Sequence, residues 1–196
     1  MRKNRWGARL AAPLLGAPLA LAFPRPGWWW LALIGLVPVL LLAMAAPGGG
    51  EAAVRAWLGG TGFFLAVNAF LFPTVGPFMV PLAMLLAVTW LPMGWLAWTL
   101  LGGPGRAGPG RLAAALVLVP SAFVAGEALR SWEGLGGPWG LLGASQWNAP
   151  ALLSVAALGG VWGLSFLLAA VNLAVAAVLR GRLPGPTRAT AAVAAA

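Results

Sequence analysis

The sequence predicts an all-α protein: a polytopic α-helical membrane bundle of six spans plus the start of a seventh, with a cytoplasmic N-terminus. Three observations predict it. Hydrophobic residues fill 61% of the 196 positions and charged residues only 8%, whereas a soluble domain carries about a quarter charged residues. Apolar runs of roughly the length that crosses a bilayer recur along the chain, each bounded by Arg, Gly or Pro. No run alternates apolar and polar residues as a lipid-facing barrel strand must, so helices are left to satisfy backbone groups inside lipid.

The spans follow in order. The first covers residues 9–23 behind a basic head of Arg2, Lys3 and Arg5. Ala20-Leu21-Ala22 also fits a signal-peptidase site, so cleavage stands as the competing reading; retention is preferred because the rest of the chain stays in the membrane. Span two covers 27–45 and opens on Trp28-Trp29-Trp30, rings suited to the boundary between lipid and water. Span three covers 53–72. Span four covers 76–101, with Pro81 and Pro92 as expected kinks. Span five covers 111–129. A glycine-bearing extracytoplasmic loop occupies 130–158, in which 151–158 is too short to cross and reads as an interfacial or re-entrant helix. Span six covers 159–178, and residues from about 189 resemble the first turns of a seventh span.

Orientation comes from the cations. Arg2, Lys3, Arg5, Arg9, Arg55, Arg106, Arg111, Arg180, Arg182 and Arg188 fall on the starting side, ten of the twelve Lys and Arg residues, leaving Arg25 and Arg130 opposite. The excess of positive charge marks the cytoplasmic side, which turns the 130–158 loop outward. The net charge of +9 does not indicate a nucleic-acid partner, because the cations are scattered at segment ends with no basic face. The chain has no Cys and no His. It therefore offers no thiolate nucleophile, no imidazole base and no His/Cys metal site, and neither a cofactor nor a metal is expected.

The polar residues concentrate between 123 and 172. Two of the three acidic residues lie here, Glu127 and Glu133, and charge near lipid is kept only where it is paired, wet or useful. Glu127 and Arg130 share a helix face. They either shape an outer mouth for lipid headgroups, with Arg130 on phosphate, or form an ion pair that holds the end of span five; the ion pair is preferred, since burial near lipid demands pairing. Glu133 reads as a solvated loop residue. Gly137-Pro138-Trp139 is a turn with an aromatic tip; Trp139 lines a substrate path or anchors at headgroup level. Ser145 and Gln146 read as hydrogen bonders that order the loop, with contact to substrate as the alternative. Gly159 and Gly163 form a small-xxx-small spacing that Gly160 widens, which points to helix packing. Asn68 and Asn172, single amides in apolar spans, predict interhelical hydrogen bonds. Ser165 has no His or Lys base and is a poor nucleophile.

The ordered set of motifs is specific where the single ones are weak. Leu21-Ala22-Phe23-Pro24 precedes a Trp-rich span; Gly62-Phe63-Phe64, Glu127-Ala128-Leu129-Arg130, Gly137-Pro138-Trp139-Gly140, Gly143-Ala144-Ser145-Gln146, Gly163-Leu164-Ser165-Phe166 and Asn172 follow. The chain resembles the N-terminal membrane part of apolipoprotein N-acyltransferase, along essentially all its length. The resemblance implies transfer of a phospholipid acyl chain to the α-amino group of a lipoprotein's N-terminal diacylglyceryl-cysteine. In that family the chain passes through a thioester on a Cys of a nitrilase-like domain with Glu and Lys partners. Gly137 departs from the family's Phe before the Pro. Without a Cys no thioester can form here, so no residue of this chain is expected to be catalytic. The expectation is an incomplete or split enzyme, inactive alone: a platform that binds phospholipid in an outward groove bounded by spans five and six and the loop. The lipoprotein substrate would join once a nitrilase-like domain completes it. The alternative is a small membrane transporter or channel, compatible with membrane Asn, Glu and Arg but lacking visible inverted repeats.

Overall fold

A computed structural model describes residues 3–103, 108–133 and 137–182. The seventh-span start near 189, and with it Arg2, Arg106 and Arg188, lies outside the described residues. Among the described residues all regular structure is helical, with no strand, so the all-α class holds. Three helical stretches are long and apolar enough to cross a membrane: Ala69–Leu101, Pro109–Arg130 and Pro150–Gly181.

Helix α1, Lys3–Gly16, passes into a 3-10 turn at Ala17–Ala22. The second apolar run is not one helix. A 3-10 turn, Trp29–Leu33, is followed by α2, Val37–Met44, and the groups freed between them find a partner elsewhere in the fold. Asn172 Oδ1 accepts the Leu36 N–H at 2.8 Å, and its Nδ2 donates to Ala32 O at 2.7 Å. Broken helices persist at membrane depth where neighbouring side chains re-satisfy the backbone in this way.

Helix α3, Gly49–Val67, begins with Glu51 in its first turn, where the partial positive charge of the helix end favours a carboxylate. The stretch after it is jointed: a 3-10 turn at Ala69–Leu71, α4 (Phe72–Val75), a turn at Gly76–Phe78, α5 (Met79–Ala87), a turn at Val88–Trp90 and α6 (Leu91–Leu101). Pro92 stands in the first turn of α6, where its missing N–H costs no hydrogen bond. Helix α7 is Pro109–Arg130. Helix α8, Pro150–Arg182, consists of two helices that meet at a kink at Gly160, φ 60° and ψ −160°, close to the expected division between a short helix at 151–158 and span six from 159. That conformation is open essentially only to glycine.

The bundle is organised on α3, which packs against α1, α2, α5 and α6, while α7 packs against α6 and α8. Its core is aromatic at one level: Trp90 stacks on Phe63 at 5.6 Å and meets Phe123 at 5.7 Å. Glycine permits the closest approaches. A Cβ at Gly62 would strike the Pro13 backbone of α1, one at Gly16 would strike the Gly59 backbone, and one at Gly59 would meet Val39 of α2 at 2.8 Å. The packing expected at Gly159, Gly160 and Gly163 is not made among the described residues, where a Cβ at any of the three meets nothing within 4 Å. The small-residue seam lies on α1 and α3 instead.

The two ends of the bundle differ in chemistry. At one end Arg9 and Arg55 both bind Glu51, at 2.7 and 3.3 Å, and Arg55 donates to Leu42 O. Arg111 donates to Thr99 O and Arg180 to Gly103 O, close to where Trp98 binds Ala46 O. The opposite end gathers the C-termini of α3 and α7, the N-terminal part of α8 and the 137–149 segment, with Gln146 Nε2 donating to Trp29 O.

Candidate functional site

A cavity of about 180 Å³ opens at that second end, lined by Asn68, Leu71, Leu82, Leu86, Arg130, Gly137 and Trp139. Four segments build it. The C-cap of α3 supplies Asn68 and the following turn Leu71; α5 supplies Leu82 and Leu86; the last turn of α7 supplies Arg130. The loop supplies Gly137 and Trp139, shaped by positive φ at Gly137 and Gly140, +82° and +70°, and by the Trp139 N–H donating to Gly137 O at 2.9 Å.

Arg130 is the charged element of the wall and only 3% exposed. Its Nη1 donates to Trp139 O at 3.0 Å, and its guanidinium lies 4.6 Å from the centroid of the Phe64 ring. Nε has no hydrogen-bond partner among the described residues. Asn68 is buried, and its Nδ2 donates to Phe64 O within its own helix, not across to another helix as expected. Trp139 is half exposed and tilts against Phe70 at 5.4 Å, so the cavity has an aromatic rim.

The expected Glu127–Arg130 ion pair does not form. The two side chains, one turn apart on α7, take different backbone partners: Glu127 Oε1 accepts the Leu142 N–H at 2.6 Å, and Arg130 turns to Trp139. The loop supplies backbone hydrogen-bonding groups that give each charge one partner of its own, and these could not be foreseen from spacing on one helix. Glu127 Oε2 remains unpartnered among the described residues.

The remaining predicted residues stand behind or beside the cavity. Ser145 and Gln146 are fully buried; Ser145 Oγ donates to Leu142 O at 2.6 Å, and Gln146 Nε2 reaches Ser145 Oγ at 2.8 Å and Trp29 O at 3.1 Å. They tie the loop to the start of the second apolar run. Ser165 accepts the Gly143 N–H at 2.8 Å. Pro138 and Glu133 are exposed and outside the wall. Of the expected boundaries, span five and the loop contribute to the cavity wall and α8 does not; residues 142–146 pack on α8, and α7 packs along it. The opening lies between α3, α5 and α7. Leu71, Leu82 and Leu86 carried no signal in the sequence, being ordinary apolar residues of apolar helices, whereas Phe64 stood there in the Gly62-Phe63-Phe64 motif.

Fold and site together define an α-helical membrane protein with an amphiphilic cavity at one end, one buried cation facing an apolar wall. A family model described as "Apolipoprotein N-acyltransferase N-terminal domain" matches residues 15–174, and the chain belongs to that family. It is 31% identical over 183 residues to the apolipoprotein N-acyltransferase of Geobacter metallireducens, covering 90% of this chain and 35% of the relative. Against that of Ralstonia nicotianae it is 30% identical over 194 residues, covering 93% and 34%. Against that of Azotobacter vinelandii it is 33% identical over 181 residues, covering 84% and 33%. The chain thus spans about a third of the length of these relatives, and it matches their N-terminal part. Membership in this family disfavours the transporter or channel alternative.

Proposed function

We propose that this chain is the lipid-presenting membrane part of an apolipoprotein N-acyltransferase. It holds phospholipid at the extracytoplasmic face of the bacterial cytoplasmic membrane. It crosses that membrane six times, with its N-terminus in the cytoplasm. The acyl-carrying thiol comes from elsewhere, since no Cys exists in the 196 residues. A nitrilase-like domain supplies it, and the lipoprotein's N-terminal amine then displaces the thiolate, a division of one acyl transfer into two easier steps.

The observation that carries the proposal is the cavity between α3, α5 and α7, its single buried cation set against leucines in a chain of this family. The orientation is supported by the gathering of Arg9, Arg55, Arg111 and Arg180 at the end away from the cavity, since cations mark the cytoplasmic side. In this topology the cavity faces outward, toward the lipoprotein.

The test is reconstitution. The chain, purified with phospholipid, is mixed with a relative's nitrilase-like domain, and a diacylglyceryl-cysteine peptide is followed by mass spectrometry. The mixture is expected to add one acyl chain to the peptide, and neither component alone to do so. A mixture as inactive as its parts would remove the proposal.

A further inference from the structure

We propose that Arg111 and Arg180 form a second lipid site, at the end of the bundle away from the cavity, which binds the headgroup of an anionic phospholipid that is not the acyl donor. That this lipid lies in the inner leaflet rests on the orientation proposed above; the site itself does not depend on it.

Two guanidiniums from different helices converge on the end of a third. Arg111, in the first turn of α7, donates through Nη2 to Thr99 O at 2.7 Å, and Arg180, in the last turn of α8, donates through Nη2 to Gly103 O at 3.1 Å. Thr99 stands in the last turn of α6, and Gly103 follows its C-cap, Gly102. Carbonyls at a helix C-terminus lack partners inside the helix and carry partial negative charge, so they draw arginines. Each contact uses one of the five N–H donors of its guanidinium. No carboxylate balances the two charges. Neither arginine is in an ion pair among the described residues, and the sequence has no Asp or Glu between 51 and 127 or after 133. Glu51, the acidic residue at this end, already holds Arg9 and Arg55. Burial lowers the Arg180 pKa with no carboxylate opposing it. Like charges gathered at one helix end repel, and an anion shared between them relieves this. The planar fork of arginine matches phosphate oxygens at two points. Apolar side chains flank each cation: Leu112 follows Arg111, and Val178 and Leu179 precede Arg180, all three exposed. Charge beside exposed apolar surface suits an amphiphile, and basic clefts between membrane helices on the cytoplasmic side recognise anionic headgroups. Because α7 packs against both α6 and α8, one headgroup bridging the pair ties three helix ends together.

Native mass spectrometry of the full chain in detergent micelles tests the proposal, with dioleoyl phosphatidylglycerol and dioleoyl phosphatidylethanolamine as probes and inorganic phosphate as competitor. Both lipids carry a phosphodiester and the same acyl chains; they differ in net charge. Wild type is expected to retain phosphatidylglycerol roughly tenfold better, the scale of two arginines at a headgroup. Arg111→Gln together with Arg180→Gln is expected to erase the preference. Arg111→Gln alone, at an exposed position, is expected to lose most of it and keeps the test alive should the double variant not fold. Arg5→Gln removes an exposed cation of α1, one turn before Arg9, and is expected to leave the preference intact. Equal retention of the two lipids by wild type, or an unchanged preference in Arg111→Gln or a folded double variant, overturns the proposal. A loss in Arg5→Gln as large as in Arg111→Gln would show diffuse attraction to net charge and overturns it too, as does ready displacement of the lipid by inorganic phosphate, which would assign the pair to a free anion. The leaflet is read separately with Gly110→Cys, an exposed position in a chain without other Cys: labelling by an impermeant maleimide from the cytoplasmic side supports the inner leaflet, and labelling from the outer side overturns it. Restored acylation without a lipid preference removes this inference and keeps the proposed function; a preference without restored acylation does the reverse.

Discussion

Asn172 closes a break in the backbone 136 residues away: its Oδ1 takes the Leu36 N–H at 2.8 Å. The same amide donates to Ala32 O at 2.7 Å and to Leu168 O at 2.8 Å. One side chain on α8 thus holds together the two halves of the second apolar run. Asn172→Leu leaves a buried donor and a buried acceptor unpaired and is expected to cost about 2 kcal/mol. Unfolding in mixed detergent micelles measures it, and an unchanged midpoint would show that water or lipid replaces the amide.

Close packing of α1 on α3 makes a second prediction. Gly62→Ala drives a methyl into the Pro13 backbone, which cannot yield as a flexible side chain does, so a loss of about 1–3 kcal/mol is expected. Gly163→Ala meets nothing within 4 Å and is expected to leave stability unchanged or raise it slightly through helix propensity. The same unfolding assay compares the two, and the opposite order would place the tight seam elsewhere.

The third prediction concerns loop order. Glu127 is the acceptor for the buried Leu142 N–H at 2.6 Å. Glu127→Leu removes that acceptor and is expected to cost about 1–3 kcal/mol, concentrated in the loop. Hydrogen exchange reads it directly: the Leu142 amide should exchange much faster, while amides of α3 change little. Glu127→Gln keeps an oxygen acceptor and should fall between. Uniform acceleration throughout the bundle would argue against a local role.

A pH prediction follows from Glu51, in the first turn of α3 and ahead of the apolar run that begins at 53. The Arg9 hydrogen bond first, and that of Arg55 after it, hold its carboxyl below the ordinary 4.5 against the opposing effect of burial. A carboxyl depressed on folding contributes stability that is fully present above its unfolded value and is lost as pH falls through the folded one. Stability is therefore expected to fall on acidification below about pH 4.5. Glu51→Gln should flatten that part of the profile and start from lower stability at neutral pH. A variant with the wild-type acid slope would detach this cluster from acid sensitivity.

Much of the architecture was legible before any coordinates. The near absence of charge left helices in lipid as the way to satisfy the backbone, and the runs around 111–129 and 159–178 became α7 and α8. The single amides and paired charges marked Asn68, Asn172, Glu127 and Arg130 as buried polar residues, which they are. Their partners were not legible. Glu127 and Arg130 share a helix face, yet each found a backbone group on the loop. Gly159 and Gly163 have the spacing of a packing motif, yet Gly16, Gly59 and Gly62, with no more conspicuous a pattern, make the close contacts.

The sequence by itself determined the solvent, the class of fold and the family, because these follow from sums and orderings along the chain: total apolar content, the placing of cations at run ends, the succession of motifs. Tertiary structure alone decided where the cavity lies and which residues share it. Asn68, Leu82, Arg130 and Trp139 meet through four different segments, and their contact depends on how α3, α5 and α7 cross. That crossing is fixed by backbone approach at glycines and by the Phe63, Trp90 and Phe123 cluster. In a chain apolar on almost every face, periodicity cannot say which face meets a neighbour and which meets lipid.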